Sequence, residues 1–290
     1  MASLLPSLVE KSELVAGNSR IRISNSIAGV AAPLVGGVIA KFFFPIWTLA
    51  AASVATLAAL LATLRLPKGE KRQNSRNHAF GDIAQGFRTL FEERLLRSLV
   101  VSSCVGAFAL GMYQTLLAIT AVRVLGIDEL SFGFLIALGS SATVVAAFLT
   151  PQLSSRIGTG RALIFGNVVT STGFLVFASS AQYVSIPSAI GGIILIGFGM
   201  PLYGINQMSI RQAATPPEQI GRVNASRQFI VYSFVPLGAL VCGYLAEQTS
   251  IPIALLGAAF LMWLTTAITL WSPLRKRWLW FERPSSSAMA

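Results

Sequence analysis

Uncharged, mostly apolar runs recur along this chain at 23–40, 46–64, 98–121, 132–150, 162–180, 186–207, 228–246 and 251–272. Their length, about 20 residues, is what a helix needs to cross the hydrocarbon core of a bilayer. Within a run the apolar residues do not alternate with polar ones, as they would in the strands of a membrane barrel. Nor do they keep to one stripe, as they would on the surface helix of a soluble domain. The pattern predicts an all-α membrane protein with eight transmembrane helices. The polar stretches divide the chain into two helices over 1–64, a linker over 65–97, a six-helix unit over 98–272 and a tail over 273–290.

Composition supports the same class. Hydrophobic residues make up 54% of the 290 positions and charged residues 11%, against about a quarter charged in soluble domains. The first 22 residues include Glu10, Lys11, Glu13, Arg20 and Arg22 and have no basic-then-apolar unit with a small-residue cleavage site, so no signal peptide is read there. The first span is expected to act as its own insertion signal. Cys104 and Cys242 fall inside predicted spans and read as small core residues.

The net charge of +11 would suit a nucleic-acid partner if its distribution did not have a simpler explanation. With the N-terminus on the cytoplasmic side, the alternation of spans leaves only Lys41 and Arg123, of 22 basic residues, on the opposite side. Such asymmetry is how membrane proteins set their orientation, so both termini are expected in the cytoplasm and no nucleic acid is needed. In the linker, Phe80, Ile83, Phe87, Leu90 and Phe91 recur at helical spacing and predict an amphipathic helix, either lying on the cytoplasmic membrane surface or serving only to connect two bundles. His78, the single histidine, falls in the same linker and reads as a solvated residue.

Residues 34–40, LVGGVIA, nearly recur as LVCGYLA at 240–246. Aligning Leu34 with Leu240 also sets Leu14 on Ile220, Asn18 on Asn224, Gly37 on Gly243 and Ala40 on Ala246. Both copies enter the membrane from the same side, and the first span falls on the seventh, which is a parallel repeat with a six-helix period. Spans three to eight then form one complete unit. Spans one and two are expected to be the end of another, whose first four helices this chain lacks.

At these residues the sequence resembles the major facilitator superfamily, in particular its branch of enterobactin exporters and drug-efflux permeases. LLPSLVEKSELVAGNS (4–19) is similar to the family's cytoplasmic approach to its fifth helix, and PPEQIGRVNASRQF (216–229) to the approach to its eleventh. APLVGG (32–37) resembles the exporters' Gly-Pro-x-x-Gly-Gly motif, with Ala32 in place of the first Gly and Pro33, Gly36 and Gly37 retained. Pro33 removes a backbone hydrogen bond and bends a helix, while Gly36 and Gly37 let a neighbour come close. PQLSSRIGTGRAL (151–163) resembles the family's basic loop between helices eight and nine. Arg156, Gly158 and Arg161 match it there, but Ser155 replaces the Asp of that cytoplasmic gate.

Chemistry-bearing patterns for an enzyme are missing from the sequence: no HExxH, Cys cluster, nucleotide loop or convergent Ser, His and acid set occurs. No cofactor or metal is expected. All 11 acidic residues lie in loops, tails or at span ends, so no predicted span carries a carboxylate, the usual proton carrier, at mid-membrane. Polar uncharged residues do enter spans, and the resemblance places spans three and six on helices that line the family's central cavity. Tyr113, Gln114, Tyr203 and Asn206 are the expected cavity residues, with interhelical hydrogen bonding as the competing use. Gly197, Gly199 and Pro201 are expected to loosen or kink the sixth span. The resemblance implies a secondary transporter that exports a small amphiphilic compound by alternating access. The alternative is a non-transporting fragment, or a chain that needs a partner to supply the missing helices.

Overall fold

A computed structural model of the protein describes residues 15–20, 23–24, 46–64, 87–216 and 219–272. Seven long helices account for most of them: α1 (Ile46–Leu64), α2 (Arg94–Ile119), α3 (Glu129–Ile157), α4 (Thr159–Tyr183), α5 (Ile186–Ala214), α6 (Ile220–Gln248) and α7 (Ile251–Trp271). Six of these, α2 to α7, are long and apolar enough to span a membrane. α1 is apolar as well and matches the second predicted span, and Val54, Leu57, Leu60 and Leu61 on it are all exposed, as a helix facing lipid would be. Beyond 23–24 the first predicted span, with the Pro33, Gly36 and Gly37 motif, lies outside the described residues.

Five of the six helices are longer than their apolar runs, α7 alone matching its run. α5 continues seven residues past the predicted end at 207, and α6 begins eight residues before 228. Hydropathy marks the part of a helix immersed in lipid, whereas the backbone keeps bonding i to i−4 into the polar zone while neighbours support it. This moves Arg211, Arg222 and Arg227 from predicted loops onto helices.

Short connections force neighbouring helices to run antiparallel. α3 and α4 are joined through Gly158 alone, whose φ of 86° is open to glycine and strained for any other residue. Its N–H donates to the Ser154 carbonyl and its own carbonyl accepts from Ala162, so one residue ends one helix and begins the next. α2 runs into a π-helical turn, Thr120–Val124, and Gly126 then turns the chain towards α3 with φ 64°. Ser185 caps α5, accepting from the Ser188 N–H at 3.4 Å, with Pro187 in the first turn. Antiparallel order brings Arg94, Arg97, Arg156, Arg161, Arg211, Arg222 and Arg227 to one end of the bundle, and puts Arg123 at the other.

The helices pack in the spatial order α6, α2, α7, α4, α5, α3. Small residues set the closest contacts, as expected where lipid offers no hydrophobic penalty and association depends on fit. A Cβ on Gly197 of α5 would stand 2.2 Å from the Gly139 carbonyl oxygen of α3. A Cβ on Gly111 of α2 would meet the Val235 oxygen of α6 at 2.0 Å, and one on Gly238 would meet the Phe108 oxygen at the same distance. α5 continues as one helix through Pro201, and Gly197 and Gly199 make close backbone contact with α3 and α4.

The core between α2, α4, α5 and α7 holds Met112, Tyr113, Phe174, Phe177, Ile193 and Met262. Cys104 and Cys242 are buried, and the Cys242 thiol donates to the Met112 carbonyl at 3.3 Å. Of the linker helix only 87–92 is described. Leu90 there is fully buried against Leu96, Val100 and Val223 at the basic end of the bundle, and Thr89 donates to the Gln219 side-chain oxygen at 2.8 Å. This turn therefore docks on α2 and α6 with its apolar side chain, where the sequence pattern had pointed that side chain at lipid.

Candidate functional site

Tyr203, Gln207 and Arg211 fall four residues apart on α5 and share one face. Across from them stand Ser102 and Ser103 of α2, Asn224 and Arg227 of α6, and Thr269 of α7. The Tyr203 hydroxyl lies 3.2 Å from both Ser102 Oγ and Gln207 Nε2. Gln207 also donates to Ser103 Oγ and to the Leu99 carbonyl, and its side-chain oxygen accepts from Arg227 Nη2 at 3.0 Å.

The network continues away from the arginines. Ser102 Oγ meets Thr269 Oγ1 at 3.1 Å, Asn167 Nδ2 of α4 donates to the same Thr269 oxygen at 3.4 Å, and Thr265 Oγ1 donates to Asn167 Oδ1 at 3.2 Å. A continuous run of polar groups therefore links five of the six bundle helices. In an apolar bundle each such group requires a partner, since an unpaired one is expensive in hydrocarbon. Tyr203 and Arg227 are half-buried, so the network opens at these two side chains while Asn167, Thr265 and Thr269 are sealed inside.

The four expected cavity residues do not converge. Tyr113 is buried, with its ring 4.9 Å from Phe174 and 5.0 Å from Phe177. Its phenol extends an aromatic core between α2 and α4, so the face it occupies belongs to packing. Gln114, one position on, is turned about 100° around the helix and is exposed. Asn206 is fully buried and faces α3, accepting from Ser154 Oγ at 2.8 Å and donating to the Leu202 carbonyl. Tyr203 alone of the four joins the network. Interhelical hydrogen bonding, the competing use, accounts for Asn206 and Asn167.

The loop residues lie at the basic end of α3 and α4. Arg156 and Arg161 are exposed, and Gly158 makes the turn between them. Nearby, the segment 15–20 reaches the same end of the bundle: Asn18 Nδ2 donates to Ser209 Oγ at 3.0 Å and to Gln212 Oε1 at 2.7 Å, and Ser19 Oγ donates to the Ala147 carbonyl. Asn224, which the internal repeat aligns with Asn18, accepts from Arg211 Nε at 3.1 Å. The two repeat-related asparagines thus flank the same end of α5, one bonded to 209 and 212 and the other to 211.

Sequence reasoning missed Gln207, Arg211 and Arg227 as site residues. The two arginines read as loop charges because the apolar runs stop short of them. The four-residue spacing of Tyr203, Gln207 and Arg211 was the available signal, and it carries meaning only once the helix is known to extend that far.

Comparison with known proteins places this architecture. The family model of the Major Facilitator Superfamily matches residues 1–239. An uncharacterized MFS-type transporter, YvqJ of Bacillus subtilis, is 22% identical over 253 residues, covering 84% of this chain and 59% of that protein. The enterobactin exporter EntS of Escherichia coli is 23% identical over 230 residues, covering 76% of this chain and 51% of the exporter. A bicyclomycin resistance protein homolog of Haemophilus influenzae is 25% identical over 161 residues. The chain therefore spans little more than half the length of the first two. Among solved structures, a bacterial homologue of the iron transporter ferroportin in its outward-facing state superposes with a TM-score of 0.70 at 20% identity, over 94% of this chain and 67% of that one. At that identity the likeness speaks for the fold. With the family match over most of its length, the chain belongs to the Major Facilitator Superfamily.

Proposed function

We propose that the chain forms part of a secondary transporter that exports a small amphiphilic compound by alternating access, with the half-open polar face around Tyr203 and Gln207 on the transport path. The observation that carries this reading is the network itself. A purely structural bundle has no use for a phenol, an amide and a guanidinium at a half-buried face, whereas a path for a partly polar solute needs groups that can exchange partners. Efflux is supported by the names of two relatives, an exporter and a resistance protein. Orientation with the basic end in the cytoplasm follows from the charge asymmetry.

Alternating access calls for two bundles rocking about a shared site. Bundle α2–α7 is one of them in this reading, and the gate at Arg156, Gly158 and Arg161 and the bend at Pro33, Gly36 and Gly37 would act where the two meet. Coupling to a proton gradient needs a titrating group on the path, and no Asp, Glu or His falls mid-span in the sequence. Proton coupling through these helices is accordingly not expected. The test is thiol accessibility in a variant with Cys104 and Cys242 replaced by alanine. A cysteine at 203 should react with a small water-soluble thiol reagent, while cysteines at 113 and 206 stay protected. Protection at 203 from both sides of the membrane would remove the path.

A further inference from the structure

At the basic end of the network, two cross-links join α5 and α6 one helical turn apart: Arg227 Nη2 to Gln207 Oε1 at 3.0 Å, and Arg211 Nε to Asn224 Oδ1 at 3.1 Å. Both partners are neutral amides. Arg211 is only 5% exposed, yet no carboxylate among the described residues reaches either guanidinium. Each also keeps a buried nitrogen without any partner, Nη1 on Arg211 and Nε on Arg227. The two cross-links hold these like charges on adjacent turns of the same helix pair.

This arrangement does not suit a resting structure. A buried cation normally acquires a counter-charge, because the attraction has to offset the loss of water. Arginine in particular presents a planar fork that matches two-oxygen anions, and these two hold their forks in place through the amides while leaving donors unused. A merely structural pair would be cheaper as two neutral residues. From the unsatisfied donors, the burial and the shared amide scaffold, we infer that Arg211 and Arg227 form a receptor for a carboxylate- or phosphate-type anionic group, carried by the transported solute. The inference rests on the proposal above that this face lies on a transport path, and it narrows the solute to an amphiphile bearing an anion next to an apolar body. Tyr203, which shares the Gln207 amide with Arg227, sits where that body would begin.

The experiment uses the full chain in phosphatidylcholine nanodiscs and two xanthene dyes of similar shape and opposite charge, fluorescein (anionic) and rhodamine 123 (cationic), read by fluorescence polarisation. Fluorescein should bind at least about tenfold more tightly than rhodamine 123, since a charge-assisted hydrogen bond is worth about that much or more. Arg211→Gln and Arg227→Gln should each remove that preference, and Arg211→Lys should keep part of it. Thermal unfolding supplies the second readout. Fluorescein should raise the melting temperature of the wild type and not of Arg211→Gln, while Arg211→Gln without dye should melt no lower than wild type, because it removes an uncompensated buried charge. Phosphatidylglycerol doped into the discs should leave fluorescein binding unchanged if the anion is a solute's; competition by it would assign the pair to a lipid headgroup and overturn the solute. Equal affinity for the two dyes in the wild type would overturn the anion receptor and leave the amphiphile path standing. That is also the result expected if a carboxylate of this chain already occupies the pair. Binding of neither dye would remove both.

Discussion

Substituting Gly197 by alanine tests whether backbone contact between α3 and α5 is what orders this bundle. The added Cβ would stand 2.2 Å from the Gly139 carbonyl oxygen and 3.0 Å from its carbon, where ordinary contact begins near 3.4 Å. The obstacle is backbone, so no side-chain rotation relieves it and the helices have to part locally by about 1 Å. A gap of that size forfeits a quarter to a half of the dispersion well for the atoms along the contact. Parting also stretches the hydrogen bond from Thr143 Oγ1 to the Gly197 carbonyl, now 3.0 Å, whose loss costs about 1 kcal/mol. Overpacking of a tight core costs about 1–3 kcal/mol, and alanine returns up to about 1 kcal/mol in helix propensity. The net expectation is a loss of about 1–3 kcal/mol. Gly243 on α6 provides the control, since a Cβ there meets nothing within 4 Å. Gly243→Ala should therefore be neutral or slightly stabilising. Both variants would be compared with the wild type by denaturation from mixed micelles, followed by circular dichroism. A Gly197→Ala protein as stable as Gly243→Ala would refute the argument that close approach holds α3 to α5.

Three further outcomes are expected. Tyr113→Phe should leave stability within about 0.5 kcal/mol, because the ring packs between Phe174 and Phe177 and the hydroxyl makes no hydrogen bond among the described residues, whereas Tyr113→Ala should cost about 3–5 kcal/mol in the same denaturation assay. Asn18→Ala removes two side-chain hydrogen bonds to α5 and should cost about 1–2 kcal/mol, with faster hydrogen exchange at 15–20 than in the wild type; unchanged exchange would show that the segment is held otherwise. Cysteines placed at Ser75 and Ser285 should resist membrane-impermeant labelling from outside intact cells, and labelling at either position would reverse the orientation drawn from the basic residues.

The class of this protein was legible in the chain because hydrophobic length is a one-dimensional property. A run such as 251–272 has only one stable use in a bilayer, and α7 fills it almost residue for residue. The same holds for the repeat of 34–40 at 240–246 and for the family resemblance, which depend on order along the chain. What the sequence could not decide was direction around each helix and extent beyond the lipid. Tyr113 and Gln114 are neighbours in sequence, yet one lies in an aromatic core and the other is exposed, since one residue turns a helix by about 100° and only the neighbours say which side is inside. Asn206 and Gln207 divide in the same way, one bonded to α3 and the other to α2 and α6. Arg211 and Arg227 read as loop charges because polarity stopped the count before the helix ended. Only tertiary packing, which supports α5 and α6 past their apolar runs, carried those two cations into the bundle and set their cross-links one turn apart.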